Sequence, residues 1–234
     1  ILCFFIFDIK DFFITKSISD FFLNRVYLWE GYCPIIFLLF IKNKSFDAAI
    51  NFFRKEKKKS MKIMEMLTEA SIEYVKNQVK SGIDCFQLFE TYSGIISNED
   101  YKNFILPLST KILLEARESG VPTIFFPKNF NEGLKYINKE MCDYVSIDYD
   151  ISLDYARDLL DSEVGIQGNM DPKIFYQEID EIENYLKSLI DFGSKNTDWI
   201  FNLGHGFRPD IDHIKVKYVV AVSYTHLTLP TSTH

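Results

Sequence analysis

The sequence lacks the cysteine pattern of a small secreted domain. Its four cysteines, Cys3, Cys33, Cys85 and Cys142, lie far apart and form no CxxC pair in a chain of 234 residues. Domains held together by disulfides are usually shorter and have a higher density of cysteine. The spacing therefore indicates a reducing compartment.

The chain also lacks long apolar runs and an excess of positive charge. Its longest apolar run, residues 33–41, covers 9 residues, whereas a helix needs about 20 to cross a bilayer. Acidic residues outnumber basic residues by 33 to 26, which gives a formal net charge of -7. Nucleic acids and anionic membranes attract basic proteins, so we expect neither as the main partner.

The two ends differ in composition from the middle of the chain. Residues 1–50 hold 10 of the 22 phenylalanines but only one glycine, Gly31, and the first residue is not Met. We expect the chain to start in mid-protein, and we leave residues 1–30 without a fold assignment, as an out-of-frame stretch or a truncated start. Residues 222–234 include VSYTHLTLPT, which resembles a translated sequencing adapter. We treat them as an artefact tail.

Between these ends, short apolar strands alternate with helices. The pattern predicts five strands, at residues 85–89, 123–126, 144–147, 164–166 and 199–203. It predicts helices over residues 64–79, from Ser97 to Gly120 with a break at Pro107, from about Glu132, over 152–160, and from Asp171 to Gly193. Such alternation implies a parallel sheet with both faces covered by helices, which is an α/β fold.

Polar side chains follow the carboxyl end of each predicted strand. They are Thr91 and Ser93, Lys128 and Asn129, Asp148 and Asp150, Asn169 and Asp171, and His205. This face holds the active site in (β/α)8 barrels, and open doubly wound sheets bind ligands at the equivalent edge. The pattern favours an α/β enzyme without selecting its chemistry.

His205 is the most specific single feature. It lies between Gly204 and Gly206 directly after an apolar strand, where small neighbours leave the imidazole uncrowded. Imidazole can change its charge near neutral pH, so this position favours a functional residue over one that fills a turn. Thr91 and Ser93 alone fit an ordinary turn equally well, and Cys142 is expected in the core.

Five co-linear motifs carry a resemblance to a known family. They are GIDCFQLFETYSG, VPTIFFPK, YVSIDYD, GIQGNMDP and IFNLGHG. In this order and spacing they resemble barrel strands four to eight of the uroporphyrinogen decarboxylases, and GYCPIIFLLF at residues 31–40 is similar to the strand-three segment. The resemblance implies a partial (β/α)8 TIM barrel over residues 31–221, with roughly strands three to eight.

The resemblance also implies a reaction. Uroporphyrinogen decarboxylases are cofactor-free carboxy-lyases of haem biosynthesis that convert uroporphyrinogen III to coproporphyrinogen III and four CO2. They are usually homodimers, and a cytoplasmic location is expected; a plastid enzyme without its transit peptide would look the same. The family pattern assigns substrate carboxylates to Thr91 and His205. Phe40 stands where the family has a substrate-binding Tyr, which removes a hydrogen bond worth about 1 kcal/mol or more.

The chain departs from the family in its central chemistry. It has no Arg-rich motif near the N-terminus, and Phe7-Asp8-Ile9 is only faintly similar to the family's Phe-Ser-Asp motif. We therefore assign no catalytic residue and predict an incomplete, inactive fragment.

Two alternatives to the decarboxylase remain. One is a related zinc- or cobalamin-linked methyltransferase, although residues 126–129, Phe-Pro-Lys-Asn, offer neither Cys nor His as a zinc ligand. We predict no metal site. The other is a non-catalytic remnant that binds porphyrinogen through Thr91 and His205.

Overall fold

The structure, a computed structural model, describes residues 26–30 and 46–226. These residues form six strands: β1 Val26–Glu30, β2 Cys85–Glu90, β3 Thr123–Pro127, β4 Tyr144–Ser146, β5 Gly165–Gln167 and β6 Trp199–Ile200. The longer helices are α1 Phe46–Lys55, α2 Lys57–Lys80, α3 Leu106–Glu118, α4 Leu153–Leu159, α5 Ile179–Ser188, α6 Ile190–Lys195 and α7 His213–His226. Among the described helices, none is long and apolar enough to cross a membrane.

The described residues divide into two compact units. The first consists of the described parts of Ser19–Ser146 together with Leu159–Val164. The second consists of Ile147–Asp158 together with the described part of Gly165–His234.

The first unit is built on four parallel strands in the order β1, β2, β3 and β4. Helix α3 packs against β2 and β3, and α2 packs against α3. Strand β3 is buried along its whole length, as expected of a parallel strand that is covered on both faces. Large apolar side chains fill the core, including Phe86, Leu88 and Phe125, each with no exposed surface.

Local sequence signals explain where the helices of this unit begin and end. The Ser97 hydroxyl accepts a hydrogen bond from the Asp100 amide, as the predicted N-cap requires. Pro107 occupies the first turn of α3, where it needs no hydrogen-bonded amide. Gly82 and Gly120 follow α2 and α3 with φ of 77° and 81°, a backbone conformation that favours glycine.

The second unit contains the parallel pair of β5 and β6, with Ile166 opposite Trp199. Further along, Met170 and Leu203 form an isolated parallel bridge. Helix α7 packs against α5, and the Tyr218 hydroxyl donates to Glu183 Oε2 across this contact at 2.8 Å.

The structure corrects three predicted elements. The helix expected from Asp171 to Gly193 is three segments, 3₁₀ helix Pro172–Tyr176, α5 and α6. The five-residue step between Ile174 and Ile179 breaks the helical spacing of apolar residues, and residues 177 and 178 are extended there.

The helix expected from about Glu132 is the 3₁₀ segment Asn131–Tyr136, since so short a connection suits a tighter helix. Finally, β1 lies in the stretch that had no fold assignment.

Asp143 ties the amino ends of β3 and β4 together. Its Oδ2 accepts hydrogen bonds from the Thr123 amide at 2.9 Å and hydroxyl at 3.0 Å. Its Oδ1 lies 3.1 Å from Lys139 Nζ and 3.6 Å from Arg117 Nε. Burial opposes ionisation, but the hydrogen bonds from Thr123 and Lys139 together hold the pKa of Asp143 below its ordinary value.

We expect Asp143→Asn to lower the free energy of unfolding by about 1–2 kcal/mol at pH 7, because the charge-assisted bonds are lost. Urea denaturation measures this difference. Because the pKa of Asp143 is lowered in the folded state, its stabilisation is present above the unfolded pKa and is lost as pH falls below about 4. Asp191→Asn is the control, since the Asp191–Lys195 pair is 76% and 69% exposed and should change stability by about 0.5 kcal/mol or less.

Candidate active site

In the first unit, hydrogen bonds join the loops that follow β2 and β3. The Lys128 amide donates to the Glu90 carbonyl at 3.2 Å. The Ser93 hydroxyl lies within hydrogen-bond distance of both the Glu90 carbonyl and the Lys128 carbonyl. Ser93 and Lys128 therefore meet, as the strand-end pattern predicted. Thr91 lies between Glu90 and Ser93 in sequence, directly after β2, and is half-buried.

Glu90, the last residue of β2, is a buried acid that the sequence interpretation overlooked. Its side chain points toward α3, where the Ser109 hydroxyl donates to Oε1 at 3.1 Å. Its second oxygen, Oε2, has no hydrogen-bond partner among the described residues. Burial raises the pKa of Glu90 to about 8, and the Ser109 hydrogen bond only partly offsets this. At neutral pH the carboxyl group is therefore mostly protonated.

We expect the free energy of unfolding to fall between pH 5 and pH 8 on account of Glu90. In this window the unfolded chain releases the proton, whereas the folded chain retains it up to its raised pKa. Glu90→Gln mimics the neutral acid and removes this loss, so its stability advantage should grow with pH to at most about 5 kcal/mol. Urea denaturation from pH 5 to 9 compares the two proteins. An advantage that is constant with pH would contradict the assignment.

In the second unit, three strand-end loops converge on Asn169 and Gly204. The Asn169 amide group donates to the carbonyl oxygens of Asp148 and Ile151. The Gly204 amide donates to the Met170 carbonyl at 2.9 Å. The loops after Ile147, β5 and β6 are thus held to one another by hydrogen bonds from side chains and backbone. Asp148 is 2% exposed and Asn169 is 7% exposed.

Gly204 lies where two backbone segments come into close contact. A Cβ atom at this position would lie 2.4 Å from the Tyr149 nitrogen and 2.8 Å from the Asp148 carbonyl carbon. Because these neighbours are backbone atoms, they cannot rotate away as a side chain could. The sequence interpretation explained this glycine by the accessibility of His205; the structure shows that close packing of the loops also requires it.

His205 follows directly and has an exposed side chain. Its Nδ1 lies 3.1 Å from the Gly206 carbonyl oxygen. A carbonyl can only accept, so this contact places the proton of a neutral imidazole on Nδ1 and leaves Nε2 as an acceptor. When protonated, the ring donates from both nitrogens and Nε2 can bind a carboxylate.

We expect Gly204→Ala to lower the free energy of unfolding by about 2–3 kcal/mol, because the added methyl group overlaps fixed backbone. Gly120→Ala is the matched control. A Cβ atom at position 120 would have no neighbouring heavy atom within 4 Å, and only the φ of 81° is unfavourable for alanine. This variant should therefore lower the free energy of unfolding by about 1 kcal/mol. Equal losses for the two variants in urea denaturation would rule out the steric explanation.

The remaining sequence predictions have different outcomes. Phe40 lies outside the described residues. Cys142 is fully buried, and burial raises the pKa of its thiol to about 12, which confirms it as a core residue and not a nucleophile. Within residues 26–30 and 46–226, no group of three or more His, Cys, Asp or Glu side chains is arranged to hold a metal ion.

Parallel strands that alternate with helices and carry polar loops at their carboxyl ends define an α/β protein. A family model, Uroporphyrinogen decarboxylase (URO-D), matches residues 36–226. The chain belongs to the uroporphyrinogen decarboxylase family. This confirms the family resemblance inferred from the five motifs.

Curated relatives agree with this assignment. A uroporphyrinogen decarboxylase from Geotalea daltonii is 36% identical over 149 residues, which cover 64% of this chain and 44% of that protein. One from Vesicomyosocius okutanii is 34% identical over 165 residues, or 70% of this chain and 48% of that protein. The chain thus spans about half the length of the curated relatives it matches.

A solved structure supports the fold. A methyltransferase from Methanosarcina mazei superposes with a TM-score of 0.71 at 18% identity, over 87% of this chain and 59% of that one. At this identity the likeness concerns the fold alone. Together with the family match, it confirms the predicted fold class, an α/β fold of the TIM-barrel type.

Proposed function

We propose that the chain supplies substrate-binding residues of a uroporphyrinogen decarboxylase, the carboxy-lyase that converts uroporphyrinogen III to coproporphyrinogen III. The observation that carries the proposal is the placement of His205. Its exposed imidazole follows a glycine that is packed tightly against the Asp148–Tyr149 backbone. This packing fixes the backbone that carries the ring on the strand-end loops, in a chain that belongs to the uroporphyrinogen decarboxylase family.

The substrate explains why such residues are useful. Uroporphyrinogen has eight carboxylates, four of which leave as CO2, so the protein must hold the others in a fixed orientation. Hydroxyl and imidazole N–H groups donate hydrogen bonds to carboxylates, and a protonated imidazole does so more strongly. Thr91 and His205 are the residues to which we assign these bonds.

Decarboxylation needs more than binding. Loss of CO2 leaves carbanion-like charge next to a pyrrole, which requires an acid and anchoring cations in a site that excludes water. The family's Arg-rich and Phe-Ser-Asp motifs, which supply these groups, have no clear counterpart in the sequence. We therefore propose that the chain binds porphyrinogen without releasing CO2, and that the complete protein is a cytoplasmic, homodimeric decarboxylase.

We expect Thr91→Val and His205→Ala each to weaken uroporphyrinogen binding about 10- to 100-fold, because each removes a hydrogen bond to a charged group. Equilibrium dialysis under anaerobic conditions measures the dissociation constants, and chromatography of the oxidised porphyrins measures CO2 loss. Thr197→Val and His213→Ala are the controls; both residues are exposed, and His213 begins α7. Binding that is unchanged in both site variants would refute the assignment.

Sequencing the source locus across both ends tests the relation of the chain to the complete enzyme. A reading frame that extends upstream into an Arg-rich motif and a Phe-Ser-Asp motif supports a decarboxylase gene. A frame without these motifs, together with porphyrinogen binding, supports a non-catalytic binding protein instead.

A further inference from the structure

We propose that Glu90 is a positioning residue for substrate binding, which ties the loop that carries Thr91 to helix α3 through its buried contact with Ser109. The inference rests on the proposed role of Thr91 in holding a substrate carboxylate. Glu90 itself does not contact substrate in this proposal. It acts through the backbone at the end of β2.

Glu90 joins three parts of the first unit. Its carboxyl group accepts the hydrogen bond from Ser109 on α3, and its carbonyl oxygen accepts the Lys128 amide from the loop after β3. The same carbonyl oxygen lies 3.0 Å from the Ser93 hydroxyl. A shift of Glu90 would therefore move both loops, including Thr91, its neighbour in sequence.

A packing role alone does not explain an acid at this position. The preceding residues of β2 that face the core, Phe86 and Leu88, are apolar and fully buried. An acid with one unsatisfied oxygen is unfavourable in such surroundings, whereas an apolar side chain would pack without that cost. Buried polar groups of this kind are found disproportionately at functional sites.

The protonation state of Glu90 also bears on the substrate. An ionised carboxylate next to a loop that receives a polycarboxylate would repel it. Among the described residues no charged group contacts Glu90, and its carboxyl group accepts its hydrogen bond from the uncharged Ser109 hydroxyl. Titratable residues on the elements packed around β2 are found on α3 and β1. On α3 they are exposed or half-buried: Lys111, Glu115, Arg117 and Glu118. On β1 they are Tyr27 and Glu30, which pair with Phe86 and Phe89.

The test is the pH dependence of uroporphyrinogen binding by the chain. We expect the affinity of the unmodified chain to fall at least about 10-fold between pH 7 and pH 9, as Glu90 ionises and the Thr91 loop shifts. Glu90→Gln should show a clearly smaller decrease over this range, because any pH dependence that comes from other groups is common to both proteins. Ser109→Ala should move the decrease to higher pH, because its hydroxyl favours the ionised form of Glu90.

The control is Glu118→Gln, the same substitution at an exposed position of α3, which should keep the pH profile of the unmodified chain. Circular dichroism at each pH confirms that all proteins are folded where affinity is compared. A Glu90→Gln profile that matches the unmodified chain would overturn the inference, even if porphyrinogen binds well.

Hydrogen exchange of the Lys128 amide gives a second readout that needs no substrate. Its protection factor should fall between pH 7 and pH 9 in the unmodified chain and stay constant in Glu90→Gln, because this amide donates to the Glu90 carbonyl. If porphyrinogen does not bind at any pH but this difference is present, the proposed function fails while the positioning effect stands. If the protection factors of the two proteins agree, the positioning effect is refuted.

Discussion

The structure depends on one constraint of parallel strands: their carboxyl ends lie at the same edge, and the backbone groups in the loops beyond them still need hydrogen bonds. The chain meets this need by bonding loop to loop. Asn169 donates to the carbonyls of Asp148 and Ile151, and Lys128 donates to the Glu90 carbonyl. In the second unit, such bonds fix the backbone next to His205, whose side chain remains exposed.

Two acidic residues of the first unit show how surroundings decide charge. Asp143 accepts bonds from Thr123 and lies next to Lys139 and Arg117, so it stays ionised at the amino ends of the strands. Glu90, at the carboxyl end, has only the Ser109 hydroxyl and is kept neutral by burial. The amino ends of the strands thus carry a stabilising ion network around Asp143. The carboxyl ends, to which the proposed function assigns the substrate, avoid a buried negative charge. This division matches the separation of stability and function between the two faces of barrel folds.

The sequence predicts much of the fold because apolar runs, caps and glycines act locally. All five predicted strands are present, and the Ser97 cap and the turns at Gly82 and Gly120 are confirmed. The observed elements differ from the predicted ones where tertiary packing determines the local structure, as in the short 3₁₀ segment Asn131–Tyr136. The strand-end set of polar residues, with His205, could also be predicted from the alternation of elements. The burial of Glu90 could not be predicted in this way. A Glu at the end of an apolar strand is ordinarily exposed, and its partner Ser109 lies nineteen residues later in the sequence.

The charge of the chain places a further demand on any site for a polycarboxylate. A formal net charge of -7 disfavours a polyanionic ligand at long range, although salt screens this repulsion at separations beyond about 10 Å. Under the proposed function, binding relies on short-range donors, the Thr91 hydroxyl and the His205 imidazole. Short-range hydrogen bonds are effective only when the donors need not be ordered on binding. Under the same proposal, the loop contacts around Gly204 and Glu90 contribute to recognition, since they lower that ordering cost.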